Sequence, residues 1–134
     1  MIGRTVSITD WRVRDEDLPD IPPGRECERR ITPQKHSILR QIVIHHLKLV
    51  QIRIGNMHDV PFEICGEDGD LRIYRPAITD AEVVRYLAGC GAQVVSPNSI
   101  RVVAGMDVCL ILRNDRTAPA KPRVSLRVQE EEPL

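Results

Sequence analysis

The four histidines and four cysteines of this chain have the chemistry to hold a transition metal, and their spacing works against it. His45 and His46 are adjacent, and successive side chains of a strand point to opposite faces, so the two cannot bind one ion without help from elsewhere. Cys27, Cys65, Cys90 and Cys109 are scattered, with no C-x-x-C and no tight spacing to His36 or His58. That is the pattern of separate reduced thiols rather than of a disulfide framework or a zinc site. Glu67-Asp68-Gly69-Asp70 could attract calcium, but the ladder of spaced ligands and the closing Glu of a calcium loop are missing, and an acidic turn is the simpler reading. The sequence has no Gly-x-Ser-x-Gly, Walker loop, Gly-x-Gly-x-x-Gly or His-Glu-x-x-His, the arrangements that position nucleophiles, phosphates and zinc. We therefore expect a protein that is not an enzyme, with no catalytic residue, metal or cofactor. A metal-dependent or hydrolytic domain using His45 or His46 is the enzymatic alternative.

The elements that would carry such residues are mostly strands. Arg123 to Val128 alternates polar and apolar strictly, placing Val124, Leu126 and Val128 toward a core and Arg123, Ser125 and Arg127 toward water or a partner. Ile100 to Asn114 reads as a short strand, a turn at Gly105 and a second strand, in which Cys109 is expected as a small core residue. Val60 to Cys65 and Leu71 to Tyr74 form a hairpin across Gly66 to Asp70, with glycine where positive φ is needed. Between Ser37 and Ile54 a helix starting at Pro33 competes with strand. Strand is preferred, since Ile38, Ile42, Ile44, Val50, Ile52 and Ile54 share one parity and β-branched residues are dense. One short helix is signalled by the capping box Thr79-Asp-Ala-Glu82 and the stripe Val83, Val84, Leu87 and Ala88, closed by Gly89 or Gly91.

With 134 residues there is room for one two-layer core. The expected fold is mainly β, an antiparallel β-sandwich of jelly-roll type with one short helix and an extended N-terminal arm. Residues 1–30 form the arm, 31–129 the sandwich and 130–134 an acidic tail. The arm is rich in charge, carries Pro19, Pro22 and Pro23, and has one credible strand, Thr5 to Thr9, leading to Trp11 and Val13. Its alternative is an ordinary first strand of the same sandwich.

Nineteen basic and nineteen acidic side chains cancel, which argues against a polyanion binder. The few aromatics, Trp11, Phe62, Tyr74 and Tyr86, argue against a single-strand stacking platform. No direct contact with nucleic acid is expected. The charge is segregated, however. Ile31 to Gly55 contains Lys35, Arg40, Lys48 and Arg53 and no carboxylate, whereas Asn56 to Glu82 sets seven carboxylates against Arg72 and Arg75. Such complementarity suits self-association or a mixed-charge lattice, or else marks solvated loops of opposite sign. The start Met1 to Thr5 lacks an apolar signal region and no apolar run is long enough to cross a bilayer, so cytosolic synthesis and no membrane partner are expected.

Two resemblances bear on function. Ser96 to Asn114 resembles the strand, glycine turn, strand and Asn of cupredoxins, but the match stops at Asn114. No His follows His58 and no Cys or Met follows Cys109, so the copper-binding loop is missing and only the sandwich carries over. A longer likeness runs from about Ser37 to Val128. Leu47 to Asn56, Val60 to Ile64, Pro97 to Asn114 and Arg123 to Val128 resemble the jelly-roll cement or decoration proteins of tailed-phage capsids. That resemblance implies a virion structural protein, made in the host cytoplasm and placed on the capsid surface, that clamps the major capsid protein and forms dimers or trimers. In that role Ile8, Trp11 and Val13 would anchor the arm, Arg12, Arg14, Arg29 and Arg30 would bind carboxylates, and Arg123, Ser125 and Arg127 would form the contacting sheet face. Deletion of residues 1–30 is then expected to leave a folded sandwich that no longer binds. The alternative is a monomeric binding or inhibitor module that uses the same sheet face and does not need the arm.

Overall fold

The computed structural model describes residues 4–12, 19–77, 85, 89, 93–96 and 99–133. The described strands are β1 (Arg4–Arg12), β2 (Glu26–Ile31), β3 (Ser37–His45), β4 (Lys48–Ile54), β5 (Phe62–Asp68), β6 (Leu71–Pro76), β7 (Gln93–Ser96), β8 (Ser99–Val102), β9 (Val108–Arg113) and β10 (Arg123–Pro133). All named pairings are antiparallel. One sheet runs β1-β10-β3-β6-β5, with β8 sharing the β6 side of β3 and β7 paired to β8, and the second runs β2-β9-β4. The pairs β1/β10, β2/β9 and β3/β8 are nested as in one long hairpin, and the contacts β10/β3 and β9/β4 close it into the roll expected of a jelly-roll-like sandwich. The β5–β6 hairpin extends the larger sheet.

Between the sheets lies one apolar cluster. Val108, Leu110 and Leu112 of β9 and Ile52 and Ile54 of β4 pack with Leu39, Ile42 and Ile44 of β3, Ile100 and Val102 of β8, and Leu126 and Val128 of β10, all without exposed surface. Tyr74 crosses the gap, and its hydroxyl accepts a hydrogen bond from the Leu49 N–H at 3.2 Å. It thereby satisfies a backbone donor on an edge strand, which would be costly to leave unpaired when buried.

The strand reading of Ser37 to His45 holds, but the single parity of its apolar residues does not. Leu39 pairs with Val128 and Gln41 with Arg127, so Arg40 is an extra residue in β3. A bulge of this kind turns every following side chain to the other face, and the core positions become Leu39, Ile42 and Ile44, with Ile38 outside the core cluster. In β4 the same happens at Val50, between the pairings of Leu49 and Gln51. The predicted hairpin is present with a tighter turn, because β5 runs on to Asp68 and Cys65 is taken up as a bulge. Gly69 then sits first in a two-residue connection at φ 56°, as a type II′ turn requires.

Three further expectations meet the structure. Ile100 to Asn114 is a short strand, a Gly105 turn at φ 87° and a second strand, as expected, and the turn carries the chain between layers, since β8 belongs to the larger sheet and β9 to the smaller. Cys109 is buried as expected, 7% exposed, although by alternation along β9 it lies on the opposite face from Val108 and Leu110 and outside the central apolar cluster. Residues 4–12 of the expected arm pair along their length with β10 of the same chain, which is the arrangement of an ordinary first strand, and the boundary at residue 30 falls inside β2. The helix residues Thr79, Glu82, Val83, Val84, Leu87 and Ala88 lie outside the described residues, as does Cys90.

Candidate binding surface

The alternation of β10 places its residues as the sequence foretells. Val124, Leu126 and Val128 are buried, while Arg123 and Arg127 are exposed and Ser125 is half-buried on the opposite face. Neighbouring strands extend this outward face by register. Ser125 lies beside Val43, which lies beside Ile73; Arg123 lies beside His45, which lies beside Leu71; Arg127 lies beside Gln41. Val43, Ile73 and Leu71 are half-buried and take no part in the core cluster. The result is an apolar strip with arginines on its β10 side. Among the described residues, the outward positions of β10 from Arg123 to Gln129, of β3 from Gln41 to His45 and of β6 hold no carboxylate. The strands flanking this face bring carboxylates to it by register: Asp10 of β1 lies opposite Arg127, and on β5 Asp68 lies opposite Leu71 and Glu63 opposite Arg75, from which Glu63 accepts hydrogen bonds at 3.0 and 3.2 Å. His45 is held below its ordinary pKa first by burial and then by the positive charge of Arg123 and by His46, so it remains neutral at pH 7.

The residues expected to bind through the arm are divided by the fold. Arg12 stands in register with Ser125, Trp11 with Leu126 and Ile8 with Gln129, so β1 continues the β10 surface instead of forming a separate one. Val13 and Arg14 lie outside the described residues. Arg29 and Arg30 belong to the other sheet. Arg29 shares the inward face with Cys27 and Ile31 and donates from Nη1 to the Glu28 carbonyl at 2.8 Å. Arg30 lies 3.3 Å from a Glu28 carboxylate oxygen and 3.7 Å from one of Asp107.

The metal candidates do not converge. The His45 and His46 rings are 6.3 Å apart, the His36 Nδ1 accepts the Ala104 N–H at 3.1 Å, and no group of three or more His, Cys, Asp or Glu side chains is placed to hold an ion among the described residues. The acidic turn is taken up in ion pairs, with Glu67 3.2 Å from Arg72 and Asp70 bonded to Arg116. That last bond is the main reason the Asp70 carboxyl sits below its ordinary pKa. The segregation of charge along the sequence is thus partly cancelled within the fold.

Sequence reasoning missed the corner where β3 passes into β4. His46 adopts φ 64°, a left-handed conformation unusual for a residue with a side chain. Its N–H donates to the Asp70 carbonyl at 2.6 Å. Its Nδ1 lies 3.0 Å from Arg116 Nη1, and since arginine only donates, that nitrogen is the acceptor. Only the acidic turn was visible in advance. The exposed edge strand β5 presents Ile64, 51% exposed, but it is acidic and bulged, the features that keep an edge from pairing with another chain. No protein-family model, curated protein or solved structure matches this chain.

Proposed function

We propose that this chain is a non-enzymatic β-sandwich that binds another protein through the outer face of its larger sheet, centred on Val43 and Ile73 and bordered by Arg123, Ser125 and Arg127. The observation that supports it is a half-buried apolar strip on β3 and β6 bordered by Arg123 and Arg127, with no carboxylate on the outward positions of β3, of β6 or of β10 from Arg123 to Gln129, a composition that suits a partner patch with an apolar centre and acidic residues facing Arg123. In the form that the resemblance implies, the partner is a major capsid protein and the chain is a cement or decoration protein of the virion, acting as a dimer or trimer. The pairing of β1 with β10 in one chain favours the second form, a self-contained module that docks as a monomer, because an edge strand already hydrogen-bonded at home is not available as a free clamp. Site-specific photo-crosslinking tests the reading in the cell or particle where the protein works. A crosslinker at position 43 should trap one partner protein, and one at position 51, on the smaller sheet, should not. Equal trapping at both positions, or none at position 43, would refute it. The solution mass of the purified chain separates the oligomeric form from the monomeric one.

A further inference from the structure

Beside the sheet face, at the β3–β4 corner, lies a cavity of about 350 Å3 lined by His46, Arg116, Ala118, Pro119, Ala120, Lys121 and Arg123. Its wall is a loop fixed from within. Asn114, fully buried, donates from Nδ2 to the carbonyls of Ile21 and Ala118 at 2.8 and 2.9 Å and accepts the Arg116 N–H at 2.9 Å. Ile21 and Ala120 exchange backbone hydrogen bonds at 2.7 and 3.1 Å. The cationic side chains are therefore carried on a bound backbone, and less ordering remains to be done when a ligand arrives.

The charge in this cavity is not balanced. Arg116 is matched by Asp70, whereas Lys121 and Arg123 have no ion-pair partner among the described residues. Two positive charges stand uncompensated above a floor of small apolar side chains. Arg123 belongs both to this cavity and to the outward face of β10, so one ligand can be continuous across the two.

We infer that the cavity receives an acidic segment of the docked protein, with two carboxylates placed on Lys121 and Arg123 and their aliphatic stems on Ala118, Pro119 and Ala120. This rests on the sheet-face reading for the identity of the partner, but its test needs only the purified chain. An acetylated tetraglutamate peptide is titrated into the 15N-labelled full-length protein at low salt. Saturable shifts confined to residue 46 and residues 116–123 are expected, with affinity falling at least tenfold in Lys121→Ala/Arg123→Ala and unchanged in Arg53→Ala on the smaller sheet. Shifts spread over all basic residues, or an unchanged affinity in the double variant, would overturn the inference. So would inorganic phosphate binding more tightly than the peptide at equal ionic strength, which would make the cavity a phosphate site. If the peptide fails while the crosslink at position 43 succeeds, only the cavity is wrong; the reverse result removes the sheet face and leaves the cavity.

Discussion

Replacing Asn114 with alanine removes three hydrogen bonds from a side chain that has no exposed surface. Each such bond contributes about 1 kcal/mol net, which puts the loss for three at about 3 kcal/mol, since water does not reach the site to replace them. For a chain of this length that corresponds to a fall in Tm of about 10 °C. Urea denaturation followed by far-ultraviolet circular dichroism measures it, with the m value checked for constancy so that the change is read as stability alone. Asn114→Asp is the companion variant. It keeps an acceptor for the Arg116 N–H but sets a carboxylate against the Ile21 and Ala118 carbonyls, and it should lose at least as much as the alanine variant. A loss below about 0.5 kcal/mol in Asn114→Ala, the low end for a single bond, would show that the loop is not held by this side chain and would remove the support for a rigid cavity wall.

The remaining tests follow from the strands and the corner. Removing residues 1–13 should leave a folded chain with β10 as a new edge, whereas removing residues 1–30 also takes most of β2 from β9 and should abolish the cooperative thermal transition; this revises the expectation that the longer deletion folds. Arg40→Ala should cost under about 1 kcal/mol as a surface change, and deletion of Arg40, which leaves Leu39 opposite Val128 and Gln41 opposite Arg127 in unbroken alternation, should cost less than the roughly 3 kcal/mol of expelling a core leucine, both read by urea denaturation. His46→Gly relieves the left-handed backbone and should stabilise by about 1 kcal/mol, and His46→Val should destabilise by at least as much. His45, with its folded pKa lowered, binds protons less readily in the folded state than in the unfolded one. Its contribution is complete above the ordinary histidine value and is lost as pH falls through the lowered one, so Tm should drop between pH 7 and pH 5, and His45→Gln should shrink that drop.

Local pattern carried the fold wherever the period was unbroken. Arg123 to Val128 declares its two faces because no bulge interrupts it, and Gly69 announces its turn because few other residues accept positive φ there. The alternation failed where a single residue was absorbed without a partner. Arg40, Val50 and Cys65 have no distinguishing chemistry as bulge residues, and a bulge is fixed by the match between two strands rather than by either one. For the same reason the separation of β8 and β9 into different sheets was hidden, since Gly105 permits a turn without saying which layer the next strand joins. The candidate surface was half legible. Its β10 row stood in the sequence, but Val43 and Ile73 became part of it only through registers set by the bulge at Arg40. The cavity was not legible, because Asn114 binds groups 93 and 4 residues away and only the first of these distances makes it a structural brace.

The position of β1 beside β10 has a mechanical side. Arg4 lies opposite Pro133, and the ladder runs from there to Arg12 opposite Ser125, so the two ends of the described chain leave the larger sheet at the same corner. A load applied between those ends opens the ladder one bonded pair after another, like a zipper, and meets little resistance at any step. A load applied between Arg12 and Pro133 pulls along the strands and must break the whole ladder in shear. The same sandwich is therefore weak when held by its ends and strong when gripped along the β1–β10 seam, a difference that bears on the docking proposed for the sheet face beside that seam.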